Sequence, residues 1–265
     1  MIQRTLTSIV LAVLALGLLA CFPLPGVPQM TAMLLGCGAV WELLKACGVK
    51  SRGACALAFG YAILLPLLPG AGSRWSLLAA LVLGMLFFTY LMTQIGTLSA
   101  TGKWLPVLSV GLTVWLFRAL PEYAAAENGV MLLCLTGVIC AMNDICAFLV
   151  GSRYGRHKLA RRVSPGKTIE GGLGGLVITV TVITLTCSQL FPQAGWSRLA
   201  VVTALVSVLG QWGDLSMSAV KRVAGVKDFG HLLPGHGGIL DRCDSLLYTL
   251  AFTRLIFGFQ ALLFG

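Results

Sequence analysis

Apolar stretches of membrane-spanning length recur along this chain, and no other feature limits its fold so tightly. A helix crossing a bilayer needs roughly 20 mostly apolar residues. Nine stretches meet or approach that length: about 6–23, 30–47, 54–68, 76–95, 105–120, 130–150, 173–190, 199–220 and 246–264. The third and fifth are short enough to be tilted or re-entrant. Pro25-Gly26 and Pro69-Gly70 punctuate the runs as turns. Only 11% of the residues are charged, whereas a soluble domain carries about a quarter. The expected fold is therefore all-α: a polytopic integral membrane protein with about nine transmembrane helices. Residues 1–128 would hold about five of them. Residues 129–265 would hold about four, with polar loops at 151–172 and 221–244. Met1 to Arg4 precede the first run as in a signal peptide, but no clean small-residue cleavage site follows, so a retained first helix is expected.

The net charge of +10 does not point to nucleic acid, because the basic residues sit in short loops between apolar runs. That placement fits topology control and anionic headgroups. With nine spans, one side collects most of the Lys and Arg, and only Arg74, Arg118 and Arg198 fall on the other. The rich side is expected to face the cytoplasm, which makes this a multi-pass protein of the cell membrane. The nine cysteines show no CxxC pairing and no histidine at zinc-ligand spacing, so they are expected to be free thiols in apolar surroundings.

The polar residues are concentrated in 213–244, GDLSMSAVKRVAGVKDFGHLLPGHGGILDRCD. Asp214, Asp228, Asp241 and Asp244 are four of nine acids in the chain, and His231 and His236 are two of its three histidines. Asp241 and Asp244 share a helical face if the last helix extends back that far. Asp144 lies in the sixth span near its cytoplasmic end, where an acid usually marks a functional site. The turn Ser164-Pro165-Gly166-Lys167-Thr168 offers hydroxyls, backbone N–H groups and an ammonium just before a helix begins, a setting that suits phosphate. It lacks Walker A spacing. Carboxylates from separate helices, without thiol or paired-imidazole ligands, favour magnesium over zinc. Lys167, Lys221, Arg222, Lys227 and Arg242 would serve a multiply charged phosphate substrate. This set suits phosphoryl or nucleotidyl transfer. No Ser/His/Asp order or Cys/His pair supports a protein nucleophile. Glu42 and Arg254, in the second and last spans, have no assigned role.

These residues, in their order, resemble a known family. Ser218-x-x-Lys221-Arg222, then Lys227-Asp228, then Pro234-Gly235-His236-Gly237-Gly238-x-x-Asp241-Arg242-x-Asp244 is similar to the signature of phosphatidate cytidylyltransferases (CDP-diacylglycerol synthases). Asp144, 151–155 and 164–168 match upstream, so the resemblance covers roughly the C-terminal half. It implies an integral membrane enzyme with a cytoplasmic-side site that takes CTP and phosphatidic acid within the membrane lipids. It implies Mg2+ on Asp214 and Asp241. Asp144, Ser164, Lys167, Thr168, Ser218, Lys221, Arg222, Lys227, Asp228, His236, Gly237, Gly238, Arg242 and Asp244 would line the substrate site, and a homodimer is expected. One departure is visible: Met217 stands where a glutamate is common in GDLxES. The competing readings are another CTP-dependent lipid phosphotransferase or kinase, a non-catalytic homologue, and a transporter. No internal repeat supports the last.

Overall fold

The structure is a computed structural model and describes residues 2–50, 52–67, 104–126, 128–230, 232 and 237–257. Within these residues run the helices α1 (Ile2–Cys21), α2 (Val27–Ala46), α3 (Arg52–Leu64), α4 (Trp104–Phe117), α5 (Ala119–Ala124) and α6 (Gly129–Tyr154). The strands β1 (Lys158–Ala160) and β2 (Ser164–Thr168) follow, and then α7 (Ile169–Leu190), α8 (Trp196–Val223) and α9 (Leu240–Phe257). Of these, α2, α6, α7 and α8 are long and apolar enough to cross a membrane. The expected span 76–95 and the end of 246–264 lie outside the described residues; the described parts of the others are helical. The stretch 105–120 is broken at Arg118 into α4 and α5. α6 runs past the expected end at 150 to Tyr154, so Asp144 lies ten residues from the helix end. All nine cysteines are free.

The β1–β2 hairpin is the exception to an all-helical chain. Lys158 pairs with Thr168 and Ala160 with Ser164 in an antiparallel register. What was expected to be a turn at 164–168 is thus a strand running directly into a helix.

The chain forms two compact units. One comprises Met1–Ala125 with Val220–Asp244, the other Ala126–Ala219 with Ser245–Gly265. The polar segment Val220–Asp244 groups with the N-terminal helices.

In the first unit α2 is central and packs on α3, α4 and α5. Ala39, Val40 and Leu43 of α2 are fully buried, as are Leu116 and Phe117 of α4. α2 nevertheless turns Leu34 outward at 71% exposure and encloses Glu42 at 0%. Outward apolar side chains suit hydrocarbon as the surrounding solvent.

In the second unit the tightest pair is α6 with α7, and small residues make it possible. A Cβ at Gly171 would lie 2.7 Å from the Ala147 carbonyl oxygen, and one at Gly175 would lie 2.8 Å from the Ala147 nitrogen. Gly171 and Gly175 are one turn apart on one face of α7, opposite Ala147 and Gly151, also one turn apart on α6. Small residues four apart let two helix backbones touch. Leu173, Val177 and Leu185 point outward at 59%, 63% and 61% exposure.

Candidate active site

Backbone contact between α6 and α7 fixes where α7 begins. Thr168 is the N-cap, and its Oγ1 accepts from the Gly171 N–H at 3.1 Å. Such a cap satisfies one of the unpaired donors of a first turn. The Thr168 side chain is wedged against the end of α6. A Cβ at Gly155 would lie 2.6 Å from its methyl carbon, and one at Gly151 would lie 2.8 Å from its Oγ1. Glu170 holds the start of the hairpin. Its carboxylate accepts from the Arg156 N–H at 3.1 Å and from the His157 N–H at 3.1 Å, and it pairs with His157 Nδ1 at 2.5 Å. Gln211 of α8 ties the unit together, donating through Nε2 to Asn143 Oδ1 at 3.1 Å and to the Gly172 carbonyl at 3.0 Å.

This scaffold encloses a cavity of about 630 Å³. Asp144, Ser164, Lys167, Thr168 and Asp214 line it together, so residues from α6, β2 and α8 share one space. Lys167 Nζ pairs with Asp214 Oδ2, and both side chains keep access to solvent, at 30% and 27% exposure. With Ser152 and Lys158 also in the lining, the cavity presents two ammonium groups, three hydroxyls and two carboxylates.

The second polar cluster belongs to the first unit and is differently made. Asp241, in the first turn of α9, accepts from Lys221 Nζ on Oδ1 at 2.9 Å. Its Oδ2 accepts from the Phe229 and Gly238 N–H groups, each at 3.0 Å. Lys221 Nζ also lies 3.9 Å from Asp244 Oδ2 and 5.4 Å from the Phe229 ring centroid, so a cation–π contact adds to the ion pair. Exposure is low: 12% for the Lys221 side chain and 6% for Asp241. Gly237 adopts φ +85°, a left-handed conformation that glycine accepts without steric cost.

Asp241 and Asp244 are both on α9, as the expected extension of that helix requires. Ser218 is half-buried on α8, four residues from Asp214 and three from Lys221, a spacing that puts the three on one helical face. Lys227, Asp228 and Arg242 are exposed, as is Arg222, whose Nη1 donates to the Val226 carbonyl at 3.4 Å. His231 and His236 lie outside the described residues. Among the described residues, no three His, Cys, Asp or Glu side chains form a group that could hold a metal.

Two residues without an expected role proved structural. Gln211 is one. The other is Glu42, fully buried, whose carboxylate accepts from the Ile239 N–H at 2.9 Å and the Leu240 N–H at 3.0 Å. The only signal for either in the sequence is a lone polar residue inside an apolar run.

The fold is that of a helical protein with four helices long and apolar enough to cross a membrane, and its polar residues gather in two clusters. Within that class the assignment is specific: the cytidylyltransferase family pattern matches residues 2–259, and the chain belongs to that family. It is similar to the phosphatidate cytidylyltransferase of Bacillus subtilis, with 35% identity over 264 residues, 94% of this chain and 95% of that protein. It is similar also to that of Staphylococcus haemolyticus, with 31% identity over 262 residues, 96% and 97% of the two chains. A shorter match, 43% identical over 123 residues, is to the uncharacterized protein YnbB of Escherichia coli and spans 46% of this chain and 41% of that one.

Proposed function

We propose that the protein is a phosphatidate cytidylyltransferase, transferring CMP from CTP to phosphatidic acid to give CDP-diacylglycerol and pyrophosphate in phospholipid biosynthesis. The observation that carries this reading is the cavity shared by Asp144, Lys167, Thr168 and Asp214, in a chain matched along nearly its whole length by enzymes of that name.

A phosphate oxygen of the lipid attacks the α-phosphorus of CTP. The bond from that phosphorus to the oxygen bridging the α- and β-phosphates breaks, and pyrophosphate leaves with the electron pair. The attacking phosphate is already anionic near neutral pH, so no protein base is required. Lys167, Lys221 and Arg222 neutralise the phosphates, and in-line positioning with charge neutralisation supplies most of the catalysis. Ser164, Thr168, Ser218, Lys227, Asp228, His236, Gly237, Gly238, Arg242 and Asp244 complete the substrate site in this reading.

The donor set fits magnesium. Asp144 and Asp214 offer hard oxygen ligands in one cavity, and Mg2+ keeps waters and takes substrate phosphates rather than requiring a full protein cage. Asp214 would hold it, with Asp241 assigned to the same ion by the family resemblance alone, and its contribution would be to neutralise charge on the reacting phosphates. The remaining elements of the proposal are about nine spans, a site facing the cytoplasm, lateral entry of phosphatidic acid from the surrounding lipids, and a homodimer.

Purified protein in detergent, given labelled CTP and phosphatidate, should form CDP-diacylglycerol and pyrophosphate only when magnesium is present. A homologue that holds nucleotide without turning it over is the second reading. It is favoured by Met217, which is 2% exposed and offers no carboxylate. CTP binding without phosphatidate-dependent pyrophosphate release would select it.

A further inference from the structure

Two carboxylates hold the chain where it enters α9. Asp241 takes the N–H groups of Phe229 and Gly238. Glu42, reaching from α2 across 197 residues of sequence, takes those of Ile239 and Leu240. The fit around Glu42 is close where Gly230 and Gly238 face it. A Cβ at Gly230 would lie 2.8 Å from its Cδ, one at Gly238 would overlap its carboxylate, and one at Gly38, a turn earlier on α2, would lie 2.6 Å from Ile239 Cδ1. Glycine at 230 and 238 leaves room for the Glu42 side chain, and glycine at 38 leaves room for Ile239.

The first turn of a helix has backbone donors with no partner inside the helix. α9 has two acids near its start. Asp241 is the local one, in the first turn, and is the acid that a capping role would ordinarily consume. Here Glu42 accepts the donors at 239 and 240 instead. Asp241 Oδ1 is thereby left to Lys221, and its position in the chain is fixed from outside the helix.

We infer that Glu42 is a positioning residue of the transferase reaction: by accepting the Ile239 and Leu240 N–H groups from α2 it fixes the start of α9, and with it the Asp241 carboxylate that Lys221, Phe229 and Gly238 share. The inference rests on the proposed cytidylyltransferase activity for its kinetic consequence, but its structural half does not. Glu42 touches no reacting atom in this assignment.

Glu42→Gln tests it with little change of shape. An amide keeps one acceptor oxygen and turns an NH2 toward a backbone donor, so one of the two bonds is lost. Amide exchange of a peptide covering 237–242 should become about tenfold faster in the full-length protein. In the same preparation kcat should fall about 10- to 100-fold, while KM for phosphatidate stays within twofold. Glu42→Asp, which keeps the charge one methylene short, should recover part of both. Gly230→Ala displaces the Glu42 carboxylate without altering any charge and should reproduce the faster exchange. A role confined to stability would lower the melting temperature and the yield of folded protein but leave kcat per folded molecule unchanged. Wild-type exchange at 237–242 in Glu42→Gln, or wild-type kcat with faster exchange, overturns the inference. Loss of turnover in the wild-type protein itself would instead discard the proposed activity and leave the exchange result to decide the clamp.

Discussion

The Lys167–Asp214 and Lys221–Asp241 pairs use the same two residue types in opposite settings. Lys167 and Asp214 are 30% and 27% exposed, line a large cavity, and Asp214 has one charged partner named by the geometry. Lys221 and Asp241 are 12% and 6% exposed, and Asp241 accepts three hydrogen bonds. An ion pair in water is worth little and is readily exchanged for a ligand. A buried pair whose lone pairs are filled by backbone donors is costly to break, because the survivor is left as an uncompensated charge. In the proposed reading the first pair meets the substrate and the second holds a loop in place.

That contrast predicts how substitutions will differ. Asp241→Asn should have the largest effect. It removes Lys221's close partner and the proposed metal ligand together, so turnover should fall by about 10³-fold or more, with a stability loss of about 3–5 kcal/mol visible as a lower unfolding midpoint. Asp214→Asn should lower turnover by about 10²- to 10³-fold yet shift stability by no more than about 1 kcal/mol. Equal destabilisation by the two would remove the distinction between the pairs. Gly175→Val should come next. A side chain there meets the Ala147 backbone, and overpacking costs about 1–3 kcal/mol. Since the same helix contact sets the Thr168 cap, KM for CTP should rise more than kcat falls. The smallest effect belongs to Glu170→Gln. It loosens the hairpin's attachment at Arg156 and His157, which proteolysis within 155–163 would report, while the unfolding midpoint stays close to wild type.

The helices were legible because lipid-facing segments must be long and apolar, and the runs at 130–150 and 173–190 coincide with α6 and α7 almost end to end. Asp144, Lys167, Thr168 and Asp214 were legible as charges and hydroxyls out of place in a greasy chain, and the structure gathers them around one cavity. The hairpin was not. β1 has three residues, and Ser164-Pro165-Gly166 carries turn chemistry that says nothing of a strand partner. Glu42 was illegible for a different reason: its partners are backbone N–H groups 197 residues away, and backbone donors leave no mark in a sequence. The glycines of α7 were visible, but their use, backbone contact with Ala147, depends on a neighbour that only the fold supplies.

The central claim is that the Asp144–Lys167–Asp214 cavity serves CMP transfer to a lipid phosphate. The direct measurement is formation of CDP-diacylglycerol from labelled CTP and phosphatidate by the purified wild-type protein, beside Lys167→Ala. The account predicts magnesium-dependent product with the wild-type and a loss of about 10²-fold or more with the variant. Product formed equally well by Lys167→Ala, or no product from folded wild-type protein under conditions where it binds CTP, would contradict it.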